Sequence, residues 1–156
     1  MTGRRQWVPN EICSVAQTLE IIGERWAILV LREAFLGTRR FEDFQHNIGC
    51  ARNILSDRLQ KLVENGILER RRYQDRPPRF EYRLTEKGID LYPILVGLMQ
   101  WGDRYVAGER GPAIVLDHKT CGHETTPELV CSHCGERVNA RTMRARLASG
   151  EISASA

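Results

Sequence analysis

The chain has 156 residues, ordinary apolar and charged fractions and a formal net charge of +3, which suits one globular domain with a small appendage. No apolar run approaches the roughly 18 residues of a membrane span, and the basic start Met1-Thr-Gly-Arg-Arg-Gln-Trp7 lacks the apolar segment of a signal peptide. A cytoplasmic protein with no membrane partner is therefore expected. Five cysteines, three of them clustered near the C-terminus, point to metal or redox chemistry rather than a disulfide framework.

In chain order, residues 11–22 place Ile12, Val15, Ala16, Leu19, Ile21 and Ile22 at helical spacing, and Gly23 ends or bends that helix. A second helix from about Glu24 to Leu36 carries Trp26, Ile28, Leu29, Val30, Leu31 and Phe35 and reads as a central core helix. Gly37-Thr38-Arg39-Arg40 is a turn with two cations. A short helix follows, with Phe41, Phe44 and Ile48 on its buried face, and Asn47 and Gly49 supply turn chemistry after it.

The stretch from Cys50 to Gly66 is the one around which the chain is organised. Ile54, Leu55, Leu59, Leu62 and Val63 form an apolar back, while Arg52, Asn53, Ser56, Asp57, Gln60 and Lys61 form a hydrogen-bonding front. Such a front can donate to phosphates and read base edges. Short helix, turn and longer helix is the order of a helix-turn-helix, whose second helix enters the major groove.

After Gly66 the period changes from helical to extended. Ile67–Tyr73 and Phe80–Leu84 predict two strands, joined by the polar, proline-containing Gln74-Asp-Arg-Pro-Pro-Arg79. This wing carries Arg76 and Arg79 within reach of a phosphate or a minor groove. From Arg39 to Lys87 there are 12 basic and 8 acidic residues, a local surplus larger than the net charge of the whole chain. A phosphate-bearing partner fits that surplus, and so does a solvated surface.

Thr85-Glu-Lys-Gly88 caps a long helix running to Val106, with a kink or offset start expected at Pro93. Its apolar surface exceeds what one small domain covers. Pairing with a second copy would bury the excess, and packing of Trp101 and Tyr105 on the chain's own first helix is the alternative.

Residues 108–117, with Gly111-Pro112, read as a linker. Beyond it, His118-Lys-Thr-Cys121-Gly122 and Cys131-Ser-His-Cys134-Gly135 each set two metal-binding side chains three residues apart, with a glycine after the second. One histidine and three cysteines would complete a closed, structural zinc site. His123 or His133 could replace His118, and Cys131 and Cys134 also suit a redox dithiol. Residues 118–147 thus form an expected zinc-knuckle extension, and 148–156 a frayed tail.

The run Cys13-Ser-Val-Ala-Gln-Thr-Leu-Glu-Ile-Ile-Gly-Glu-Arg-Trp26-Ala-Ile-Leu-Val-Leu-Arg32 resembles the opening of the HxlR-type winged-helix transcriptional regulators. Gly37-Thr-Arg-Arg-Phe41, Leu55-Ser-Asp-Arg-Leu59 and Arg76-Pro-Pro-Arg-Phe-Glu-Tyr-Arg-Leu-Thr-Glu-Lys-Gly88 continue the likeness in the same order, over about residues 11–107. The resemblance implies a homodimer, paired through its first and last helices, that binds double-stranded operator DNA and usually represses nearby genes. The C-terminal Cys/His segment is similar to a zinc-ribbon-like extension of some members. Some members sense oxidants or electrophiles through a cysteine at the position of Cys13. Where the family commonly has an apolar and then a small hydroxyl residue before the recognition helix, this chain has Cys50-Ala51. The change removes a possible N-cap and makes Cys50 a second candidate redox sensor.

The expected architecture is mainly α (α+β): a winged helix-turn-helix domain over 1–107 with a long dimerisation helix, followed by the linker and the metal knuckle. Arg52, Asn53 and Ser56 are expected to face bases, and Arg39, Arg40, Lys61, Arg76 and Arg79 to contact phosphates, under control of a small-molecule or redox effector. Two rivals remain. A protein-interaction adapter predicts no salt-dependent DNA affinity. An enzyme needs an open coordination position or a nucleophile beside a base, and the four-ligand set here reads as closed.

Overall fold

The computed structural model describes residues 8–146, so the tail expected at 148–156 lies outside the described residues. The chain divides into two compact units, one of Asn10–Gly102 and one that includes residues 103–146.

The first unit contains helices α1 (Ser14–Ile22), α2 (Arg25–Phe35), α3 (Phe41–Ile48) and α4 (Arg52–Glu64). Strands β1 (Leu68–Gln74) and β2 (Arg79–Leu84) follow, then a short helix α5 (Glu86–Ile89) and most of α6 (Tyr92–Tyr105). Helix α2 packs against α1, α3, α4 and β2 and is the central element expected from its apolar run. Its core, however, is set by Ala27, Val30 and Leu31, while Trp26 and Ile28 are only half buried. On α4, Leu55, Leu59 and Leu62 are fully buried and meet Phe44 of α3 in one cluster with Val30 and Leu31. Burial of each such side chain is worth roughly 1.5–3 kcal/mol. That stripe fixes which face of α4 is left for solvent.

The α3–α4 turn depends on Gly49, which ends α3 in the left-handed region at φ 71° while its N–H donates to the Gln45 carbonyl. Strands β1 and β2 pair antiparallel, from Leu68 opposite Leu84 to Gln74 opposite Arg79, with a register shift between Arg72 and Gln74. The turn before α3 also joins the hairpin. Arg40 makes a β-bridge to Glu81, and the Tyr82 N–H donates to the Arg39 carbonyl at 2.8 Å.

The long helix expected after the wing is two helices. Thr85 caps α5 by accepting from the Gly88 N–H, and its hydroxyl donates to the Gly66 carbonyl at 2.6 Å. A Cβ on Gly88 would lie 2.2 Å from the Ile67 carbonyl oxygen, so glycine is what lets α5 approach the start of the wing. Helix α6 starts afresh at Tyr92, with Pro93 in its first turn, where its missing N–H costs nothing.

The second unit holds a hairpin of β3 (Leu116–His118) with β4 (His123–Thr125) and a bridge between Val130 and Arg137. No residue from 111 to 146 is buried. No helix among the described residues is long and apolar enough to cross a membrane.

Candidate nucleic-acid interface

Between the N-terminal ends of α3 and α4 and the wing lies a cleft of about 650 Å³, lined by Arg40, Phe41, Arg52, Ser56, Arg70, Tyr73, Arg79, Phe80 and their neighbours. Four arginines face it against the acidic Glu42 and Asp43. Three of these guanidinium groups rest on aromatic rings of the same cleft. Arg52 lies 4.6 Å from the Phe41 centroid, Arg40 5.0 Å from Tyr73, and Arg70 3.7 Å from Phe80. Each such stack is worth about 0.5–1 kcal/mol at an exposed site and restricts where the charge can sit. The cationic groups are thus held in place by α3 and by the wing.

Helix α4 begins without a side-chain cap. Its N-cap is Ala51, which accepts the Leu55 N–H through its carbonyl but offers no oxygen to the first turn. Arg52 and Ser56, four residues apart, share the face turned to the cleft, and Asn53 is exposed beside them. Lys61 is half buried in the last turn of α4, about 14 Å along the axis from Arg52 at 1.5 Å per residue. Arg39 is exposed in the turn before α3. Arg79 lines the cleft, whereas Arg76 is exposed at the hairpin tip outside it. The structure therefore brings together Arg40, Arg52, Ser56 and Arg79 and leaves Arg39, Asn53, Lys61 and Arg76 around them.

Sequence reasoning missed Arg70 and Tyr73. Arg70 stacks diagonally on Phe80, whose ladder partner is Arg72. Tyr73 is the extra residue where the register shifts, which places it in the cleft with Arg70. The run Ile67–Tyr73 reads as a strand in the sequence, but the register and the bulge that select among its residues are not legible there.

A buried charge supports the site from behind. Glu33 of α2 is 5% exposed and accepts from Arg32, from the Thr38 hydroxyl at 3.0 Å and from the Asn47 amide at 2.8 Å. Burial pushes its carboxyl up, but the hydrogen bonds from Asn47, Arg32 and Thr38 and the Arg32 charge outweigh that and hold it below the ordinary glutamate value. The network ties α2 to the turn before α3 and to the end of α3. Arg58 of α4 pairs with Glu24, which also caps α2 through the Trp26 N–H.

Of the two candidate sensor thiols, Cys13 is half buried at the N-cap position of α1. Cys50 does not stand open at the start of α4. It precedes the N-cap and is 6% exposed within the core cluster, where it packs as a small hydrophobe.

In the second unit, His118 Nδ1 and Cys121 Sγ lie 3.3 Å apart. Backbone N–H groups of Cys134 and His133, with the Cys134 thiol, hold Cys131 below the ordinary thiol value. Among the described residues no three His, Cys, Asp or Glu side chains converge on one point.

The profile of the HxlR-like helix-turn-helix family matches residues 21–110. The chain is 52% identical over 130 residues to the HTH-type transcriptional regulator Rv3095 of Mycobacterium tuberculosis, covering 83% of this chain and 82% of that one. An alignment of that length runs past residue 110 into the second unit. Among solved structures, PA1607, described as a transcription factor, is similar at 34% identity and a TM-score of 0.76, over 86% of this chain and 94% of its own. The reduced form of the redox regulator HypR is similar at 33% identity and a TM-score of 0.56, over 60% of this chain and 96% of its own.

Proposed function

This chain belongs to the HxlR-like helix-turn-helix family of transcriptional regulators, and we propose that it acts as a homodimeric repressor reading a two-half-site operator with α4 and the wing. The observation that carries this reading is the cleft in which Arg40, Arg52 and Arg70 are each seated on an aromatic ring. A phosphodiester strand offers the charge such a cleft lacks. Arg52, Asn53 and Ser56 sit at the open start of α4 and are the proposed base readers. Arg39, Arg40, Arg70, Arg76 and Arg79 are the proposed phosphate contacts, with Lys61 serving a flanking phosphate.

Dimerisation is supported by the apolar faces of α1 and α6. Val15, Leu19, Ile94 and Leu98 are all exposed, Leu98 by 53%. A second copy would cover them and space two α4 helices for successive turns of the groove. A dimer seated over a promoter excludes polymerase without any further contact surface, which makes repression the proposed sign. By analogy with HypR, Cys13 is the proposed redox-responsive thiol, since it borders α1 and is less covered than Cys50. A small-molecule effector would act through the same helices.

Selection of the full-length protein against random duplexes tests this reading. It should enrich paired, inverted half-sites with centres about 10–10.5 bp apart or a multiple of that. Leu98→Asp should sediment as a monomer and lose that enrichment. Failure of the wild-type protein to enrich any sequence would remove the proposal.

A further inference from the structure

We infer that the C-terminal unit binds one zinc ion between its two turns, with His118, Cys121, Cys131 and Cys134 as the ligands. The two turns are built alike. In the first, the Gly122 N–H donates to the His118 carbonyl at 2.7 Å. In the second, the Gly135 N–H donates to the Cys131 carbonyl at 2.8 Å. Both glycines take the left-handed conformation, at φ 73° and 77°. The two donor side chains of each pair therefore leave one tight turn at its first and fourth positions.

The first pair already has the spacing of a ligand edge. Zn–S near 2.3 Å and Zn–N near 2.0–2.1 Å at a tetrahedral angle put S and N about 3.6 Å apart, and His118 Nδ1 and Cys121 Sγ are separated by 3.3 Å. This contact selects His118 over His123 and His133 as the nitrogen ligand. The Cys131 and Cys134 thiols form the second pair. Among the described residues no three of these side chains meet at one point, so binding requires the two pairs to close on the ion.

An independent observation concerns what holds this unit in shape. Residues 111–146 form one hairpin and one isolated bridge without one buried side chain. Segments this small ordinarily need a disulfide or a metal in place of a core. One disulfide would leave an odd thiol and give His118 no role, whereas one closed site uses all four donors. Three thiolates and an imidazole, with no carboxylate, form a soft set that suits zinc rather than magnesium or calcium.

The test is metal content and cobalt spectroscopy on the full chain, expressed with added zinc and purified without chelator. About one zinc per chain is expected, and cobalt substitution should give thiolate charge-transfer bands and the intense visible bands of a tetrahedral site. Cys121→Ser, Cys131→Ser, Cys134→Ser and His118→Ala should each lose the metal on dialysis against a weak chelator. His123→Ala, His133→Ala and Cys13→Ser should keep it. The cobalt spectrum is read on the wild-type chain and does not depend on any variant folding. Absence of metal, an octahedral cobalt spectrum, or metal retained by Cys134→Ser would overturn the assignment. So would a Cys131–Cys134 disulfide in metal-free protein purified under reducing conditions.

Discussion

The two units of this chain are built on opposite principles. Asn10–Gly102 closes around Phe44, Leu55, Leu59 and Leu62, all fully buried, and its shape follows from apolar side chains that share one interior. Residues 111–146 keep one hairpin and one isolated bridge with no buried side chain, and on the zinc proposal their order rests on turn geometry and donor pairs. A core tolerates polar change on its surface and punishes cavities. A unit stapled by a metal, as proposed for the second, would tolerate the loss of most side chains and fail with its ligands.

The sharpest way to break this contrast is to delete apolar volume in each unit. Phe44→Ala should lower the unfolding free energy of the first unit by about 3–5 kcal/mol, measured by urea denaturation. Next in size is Glu33→Gln, expected to cost about 1.5–3 kcal/mol because Glu33 accepts hydrogen bonds from three side chains as a charged group. Since its folded pKa is depressed, its ionisation stabilises above the ordinary glutamate range and stops doing so as pH falls through the lowered value. Denaturation midpoints across acid pH should therefore fall less steeply for Glu33→Gln than for wild type.

Asn53→Ala should relax sequence preference by about 1–3 kcal/mol while leaving random-duplex affinity nearly intact, as read by competition binding. Equal weakening on both duplexes would deny it a base-reading role. Ala51→Ser restores an N-cap oxygen to α4 and should raise thermal stability by the equivalent of about 0.5–2 kcal/mol. The smallest effect belongs to the second unit. Leu129→Ala, at a residue 73% exposed, should change stability by no more than about 0.5 kcal/mol. A larger loss would reveal a core that the structure does not show.

The helices of the first unit were legible because Leu55, Leu59 and Leu62 recur at helical spacing and their burial needs no knowledge of the partner. The wing was legible as well, from alternation and from Pro77-Pro78. Two features were not, and a third was so only in part. Glu33 lies within an apolar run, and its burial is tolerable only because Thr38 and Asn47 arrive from other segments. Arg70 and Tyr73 reach the cleft through a strand register and a bulge that alternation alone does not specify. The split into α5 and α6 was half visible. Pro93 signalled an offset start, but the close approach of Gly88 to Ile67 that anchors α5 separately is a tertiary contact.

The placement of DNA in the cleft between α4 and the wing is tested most directly by the salt dependence of binding for Arg70→Ala. Arg70 lines that cleft and lies outside the helix-turn-helix. If it neutralises a phosphate, the variant should bind specific and random duplexes more weakly, and its log–log salt slope should be smaller by about 0.9. An unchanged affinity and slope would mean that DNA does not enter the cleft, and the proposed docking geometry would be wrong.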